Sequence, residues 1–288
     1  MVDRRELDAR LDATNALADL EPRVCRPLPV GRRLVNEVTL ADGEQRYVVC
    51  SEFADGTALD PSDRVDAERM GRTLAQLHVS MRQLPPTRLP PVAALRAGSP
   101  GAAAAKGRHQ LLHGDFNAGN LRDVNGVIRV LDLDDCGYGP PAFDVANALY
   151  MVLFDAVVHT TVESYETFSR SFGSGYVDLS RQDLADDALD RLIDLRVEAL
   201  RRWLADLDTA PVGIRTASND WLETLRSFAA THRPMPGQLT QREASATDRV
   251  PAIGDGRSAS LCVCLHALAQ PALSGQSART SSGLRARG

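Results

Sequence analysis

The chain has 288 residues, 43% hydrophobic and 25% charged, with a formal net charge of −5 and a mean hydropathy of −0.21. That composition can bury a core of one large domain or about two ordinary ones, and the net negative charge excludes a general nucleic-acid footprint. No apolar run is long enough to cross a membrane, and the charged start MVDRREL, with no apolar stretch behind it, argues against secretion and for the cytoplasm.

Residues 4–19 read as a helix, with Leu7, Leu11, Leu17 and Ala18 as a rough apolar stripe between charges. The period then shortens. RLVNEVTL and RYVVCSEF, separated by ADGEQ, read as two β-branched strands over 33–52 joined by an Asp-Gly loop. SEFADG (51–56) is a turn-rich exit. A helix follows over 63–81, with Val65, Met70, Leu74, Leu77 and Met81 placed on one face and Asp60 or Ser62 as its cap. Residues 84–108, rich in Pro, Ala and Gly, read as a surface connection. GSPGAAAAKG within it fails as a phosphate-cradling loop, because Lys106 lacks the glycine before it and the hydroxyl after it.

Residues 111–135 read as strand, loop, hairpin and strand, with Asn125-Gly126 as a two-residue turn in which both residues tolerate positive φ. Helices are expected over 143–158, 161–172, 183–206 and 218–230, the last two carrying Trp203 and Trp221. The acidic run Asp183, Asp186, Asp187, Asp190 and Asp194 reads as a solvated helix face. From 233 onward no aromatic residue occurs, and Ser, Ala, Gly, Arg and Pro dominate. The composition predicts disorder over 233–288, apart from a short helix near 261–270. The five cysteines (Cys25, Cys50, Cys136, Cys262 and Cys264) show no framework spacing and read as reduced thiols.

The chemistry concentrates in LLHGDFNAGNLRDVNGVIRVLDLDDCGYGPPAFDVANALY. Asp115 sits in a loop after a short strand, Asn120 follows five residues on, and the hairpin returns Asp132 to the same loop. Two carboxylates and an amide oxygen, without a His or Cys pair, suit a hard cation such as Mg²⁺ and not zinc. Asp115 is the candidate to orient an acceptor hydroxyl and take its proton.

HGDFNAGN resembles the H-G-D-x-x-x-x-N motif of the aminoglycoside phosphotransferase and choline kinase-like family. VLDLDDCGYGPPAFD resembles that family's second block. The resemblance implies an α+β, protein kinase-like two-lobe fold: a partial N-terminal lobe and hinge over 1–56, a mainly helical catalytic lobe over 57–232, and the tail over 233–288. It implies phosphate transfer from ATP or GTP, with Mg²⁺, to a small hydroxylated molecule. Asp115 then matches the catalytic aspartate, Asn120 and Asp132 the magnesium ligands, and His113, Asp134 and Asp144 supporting residues. Glu52, Phe53 and Ala54 match the hinge that offers backbone groups to the adenine. Where family members carry a glycine-rich cover, a strand lysine and a helix glutamate, this sequence shows Arg10 at the glutamate position and a single lysine, Lys106, after the hinge. The expectation is a chain that starts inside the small lobe and turns over slowly, or a non-catalytic remnant of the family.

Overall fold

The computed structural model describes residues 4–39, 41, 43, 45–95, 109–159, 161–180 and 186–232. The expectations for the 233–288 tail and for Lys106 lie outside the described residues.

The first helix, α1 (Arg4–Leu20), buries the expected stripe in two directions. Leu7 and Leu11 pack with Val35 in a small cluster of their own, while Ala13, Leu17 and Ala18 enter the main core. After α1 come β1 (Pro27–Leu28), β2 (Val35–Thr39) and β3 (Gln45–Ser51), an antiparallel sheet in the order β1-β3-β2 with Val35 opposite Val49 and Thr39 opposite Gln45. The sequence does not reveal β1, since two residues are too few to show a period.

The second helix, α2 (Arg64–Met81), is capped by Asp63, whose carboxylate accepts from the N–H groups of Val65 and Asp66, and not by Asp60 or Ser62. Asp60 instead accepts from the backbone and hydroxyl of Ser62 in the turn before the cap. Val65 is 65% exposed, contrary to its expected place on the apolar face. Five residues separate it from Met70, more than a turn apart, and Ala67 takes the buried position. The connection after α2 is also more than a surface loop where it is described. Leu89, Val92 and Leu95 are buried, and the Val92 and Tyr138 N–H groups donate to Tyr138 and Pro90 carbonyls.

Two short ladders then build the platform for the site. Strand β4 (Gln110–Leu112) pairs with β7 (Gly137–Gly139), and β5 (Leu121–Val124) pairs with β6 (Val127–Val130) as a hairpin. Asn125 (φ 54°) and Gly126 (φ 86°) close the hairpin in the expected left-handed turn. The hairpin is strapped on both sides: Cys25 N–H donates to the Val130 carbonyl, and Thr57 and Asp123 exchange backbone bonds.

The described residues that follow are mainly helical: α3 (Ala142–Val158), α4 (Val162–Ser180), α5 (Asp186–Ala205), α6 (Val212–Arg215) and α7 (Asn219–Thr231). Helix α4 runs a further two turns past the expected end, and α6 was not legible in the sequence. Helices α2 and α4 approach so closely that a Cβ on Gly71 would stand 2.0 Å from the Phe172 carbonyl oxygen, and one on Gly175 2.1 Å from that of Glu68. That approach places Tyr176 of α4 against His78 of α2. The fold is α+β, a small antiparallel sheet beside a mainly helical body, as the sequence led one to expect.

Candidate active site

The motif loop leaves β4 at His113 and must turn at once. Gly114 has φ 86°, and a Cβ there would lie 2.2 Å from the Asp135 carbonyl oxygen, so only glycine fits. The turn is fixed from below by Asp144 in the first turn of α3, fully buried. Its Oδ2 accepts from the His113 N–H at 2.8 Å and from His78 Nε2 at 2.9 Å, and its Oδ1 accepts from the Gly114 N–H at 2.9 Å. Burial alone would push this carboxyl up. The bond and field of His78, the field of His113 and the Gly114 N–H more than offset it, and the net direction is down. The other ring nitrogen of His78, Nδ1, lies 3.0 Å from the Tyr176 hydroxyl. His113 is hydrogen-bonded on both ring nitrogens. Its Nε2–H donates to the Leu131 carbonyl at 2.9 Å, and its Nδ1 accepts from the Asp115 N–H at 3.3 Å.

Asp115 is 9% exposed, and both of its oxygens are engaged. Oδ2 accepts from the side-chain amides of Asn117 at 3.2 Å and Asn120 at 3.3 Å. Oδ1 accepts from Asn147 Nδ2 of α3 at 3.0 Å and lies 3.5 Å from Arg196 Nη2 of α5. The Arg196 guanidinium also stacks over the Tyr150 ring, 5.7 Å from its centroid. Burial pushes the Tyr150 hydroxyl up to about 12, so it stays neutral near neutral pH.

Asn120 is buried in the short 3₁₀ turn Ala118–Asn120, its Nδ2 donating to the Asp115 carbonyl at 2.8 Å. The Leu131 N–H donates to the Asn120 carbonyl at 2.8 Å, which sets Asp132 beside this loop. Asp132 is exposed and has φ 56°, a conformation that a non-glycine residue rarely adopts. Asp134 is exposed, and what it gives to the site is its carbonyl, which accepts from Arg10. The Arg10 guanidinium also bonds Glu6 at 2.6 Å and stands 3.8 Å from Asp135 Oδ1, tying α1 to the segment after Asp132.

The hinge segment needs one correction. The Glu52 N–H donates to the Arg26 carbonyl at 2.9 Å, so it is not available as a donor to a base. The Glu52 carboxylate is a strut, accepting from the Arg26 N–H at 3.2 Å and from Arg129 of the hairpin at 2.7 Å. Phe53 is 87% exposed and Ala54 is buried.

Sequence reasoning missed His78, Tyr176, Asn147, Arg196 and the role of Asn117. Asn147 had a signal: it follows Asp144 by three residues, so the two share one face of α3. His78, Tyr176 and Arg196 come from helices without a motif. A cavity of about 440 Å³ beside α6 and α7 includes Gly213, Ser218 and Trp221 in its lining and no residue of the motif loop.

Comparison with solved structures establishes the fold as that of kinase-like phosphotransferases. An amicoumacin kinase, hAmiN, in complex with AMP-PNP, Ca²⁺ and Ami superposes with a TM-score of 0.58 at 17% identity, over 79% of this chain and 77% of that one. A microcompartment-associated aminopropanol kinase superposes with a TM-score of 0.57 at 22% identity, over 80% and 79%. The family likeness carried by the two motif blocks is upheld: residues 92–176 match the model of the phosphotransferase enzyme family, APH. No curated protein sequence matches the chain.

Proposed function

We propose that this chain is a kinase for a small hydroxylated molecule, moving the γ-phosphoryl group of ATP or GTP to an acceptor hydroxyl. The observation that carries this reading is Asp115, a nearly buried carboxylate on a loop clamped by Asp144 and His113 and in contact with Asn120. Phosphoryl transfer asks a protein mainly for positioning and charge stabilisation. Asp115 orients the acceptor hydroxyl and takes its proton as the acceptor oxygen bonds to phosphorus and the bond to the leaving diphosphate breaks. Asn147 and Asn117 keep the carboxylate facing one way, and Asp144 keeps the loop backbone rigid beneath it.

The residues present fit a hard cation. Asn120 points its amide nitrogen at the Asp115 carbonyl, which directs Oδ1 away from it, and Asp132 brings an exposed carboxylate to the same loop. Among the described residues no three His, Cys, Asp or Glu side chains form a cage. Mg²⁺ held by Asn120 and Asp132 would therefore complete its shell from phosphate oxygens and water. When bound, the ion would neutralise charge on the transferring group. At the hinge, the exposed Phe53 ring is within reach of a purine from solvent, next to buried Ala54. The nucleotide and divalent cation in the amicoumacin kinase complex agree with this reading.

A second reading, a binding module without turnover, is favoured by one observation. The inner face of α1 presents Arg10, engaged by Glu6 and by the Asp134 carbonyl, and the single lysine of the chain is Lys106. Transfer from labelled ATP to a panel of polyols, amino alcohols and hydroxy acids separates the two. Turnover by the wild-type chain that Asp115→Ala lowers by about a thousandfold or more supports the kinase. Turnover that survives the substitution refutes the role of Asp115, and no turnover at all favours the binding module.

A further inference from the structure

The Asp115 carboxylate accepts three hydrogen bonds from amides and has one cation beside it. Asn117 and Asn120 donate to Oδ2, whereas Oδ1 accepts from Asn147 alone and has Arg196 beside it as an ion partner. A hydroxyl that is to be oriented by Asp115 therefore has its opening on Oδ1, on the side where Arg196 stands. The three amides are each tied twice: Asn117 and Asn120 also hold the Asp115 carbonyl at 3.0 and 2.8 Å, and Asn147 also holds the Phe116 carbonyl at 3.2 Å. Arg196 touches the carboxylate at 3.5 Å, beyond good hydrogen-bond range, and among the described residues no hydrogen bond to protein occupies its N–H groups. It is the donor that can leave.

We propose that Arg196 is the acceptor-recognition group, and that the acceptor carries a carboxylate within a few bonds of the hydroxyl that reacts. The proposal rests on the reading of Asp115 as the group that orients the acceptor. The Arg196 side chain is only 11% exposed, so a guanidinium moved off Asp115 needs a new counter-charge close by. A carboxylate supplies one in the planar, two-pronged geometry that guanidinium prefers. An ammonium on the acceptor would instead meet a cation at the catalytic oxygen and be repelled. The side of approach agrees. Asn120, the candidate metal ligand, is on Oδ2, whereas Arg196 is on Oδ1 with a helical neighbour, so the phosphate donor and Arg196 approach opposite oxygens. Tyr150 holds the guanidinium plane from behind and keeps it at the site when its ion partner changes.

The test uses the full chain and three matched probes: glycerate, glycerol and aminopropanediol, which carry a carboxylate, nothing and an ammonium beside the same hydroxyls. Equilibrium binding by calorimetry and phosphate transfer from ATP with Mg²⁺ are both measured for wild type, Arg196→Met and Arg196→Lys, each checked for cooperative melting. Wild type should bind glycerate roughly ten- to a hundredfold more tightly than glycerol, the range for a hydrogen-bonded charge, and aminopropanediol worst. Arg196→Met should lose the preference and Arg196→Lys should keep part of it, with nucleotide affinity unchanged in both. Equal binding of the three probes by wild type, preference for aminopropanediol, or a preference that survives Arg196→Met overturns the proposal. So does a loss confined to nucleotide affinity, which would assign Arg196 to the phosphates. Glycerate bound through Arg196 with no phosphate transferred supports the recognition role and counts against the kinase reading.

Discussion

Asp144→Ala removes the one acceptor shared by three buried donors: the His113 N–H, the Gly114 N–H and His78 Nε2–H. Each orphaned donor costs about 1–3 kcal/mol, less where water can enter, and breaking a buried pair by deleting one partner costs about 3–5 kcal/mol. The expected loss is therefore about 3–6 kcal/mol, a large share of the ~5–15 kcal/mol that holds a domain together. Asp144→Asn keeps the volume and one acceptor oxygen but turns an N–H toward a donor, so its loss should fall below that of the alanine. Urea unfolding followed by the fluorescence of Trp203 and Trp221 measures both. Acid adds a second signature. The folded carboxyl lies below its ordinary value of 3.8, so its ionised form contributes stability at pH values above that and loses it as pH falls through the lower folded value. Wild type should therefore show an acid-side loss of stability that Asp144→Asn lacks. A cost below about 1 kcal/mol for Asp144→Ala would refute the clamp, because three buried donors cannot be orphaned so cheaply.

Mn²⁺ titration of the full chain, followed by the resonance of the free ion, should show one site that Asp132→Ala weakens about tenfold or more. Equal binding by both chains refutes the assignment. Gly126→Ala should cost about 1 kcal/mol, through its φ of 86° in an open turn, while Gly71→Ala should cost clearly more, because its Cβ meets the Phe172 carbonyl between two packed helices. Thermal melts rank the two, and the reverse order would contradict the close approach of α2 and α4. Among the described cysteines, alkylation at pH 8 followed by peptide mapping should mark exposed Cys50 first. Cys25 and Cys136 should resist until the chain unfolds, the Cys136 thiol being pushed up to about 12 by burial.

Much of the candidate site's backbone course was legible because the motif loop is local. The loop from His113 to Asn120, the Asn125-Gly126 turn and the return to Asp132 lie within twenty residues. The backbone rules of glycine, asparagine and a short hairpin fix that geometry whatever surrounds it. The amphipathic helices α1 and α2 were legible for a similar reason, their period being written in the sequence. Where the period was stretched, as with Val65, or where several polar residues competed for one cap, as at Asp60, Ser62 and Asp63, the local signal was ambiguous and packing decided.

Tertiary structure alone decided what surrounds Asp115 and Asp144. His78, Tyr176 and Arg196 stand on α2, α4 and α5, between 66 and 98 residues from the partners they meet, as the pairs His78–Asp144, His78–Tyr176 and Arg196–Asp115 show. A lone histidine, tyrosine or arginine on a helix carries no spacing signal, because its partner is chosen by how helices cross and not by residues nearby in sequence. The crossing of α2 and α4 depends on Gly71 and Gly175, two small residues that look unremarkable in the sequence. The hinge shows the same division. The sequence placed Glu52 at the exit of a strand, but only the packing of Arg26 and Arg129 against it turned it from a donor into a strut.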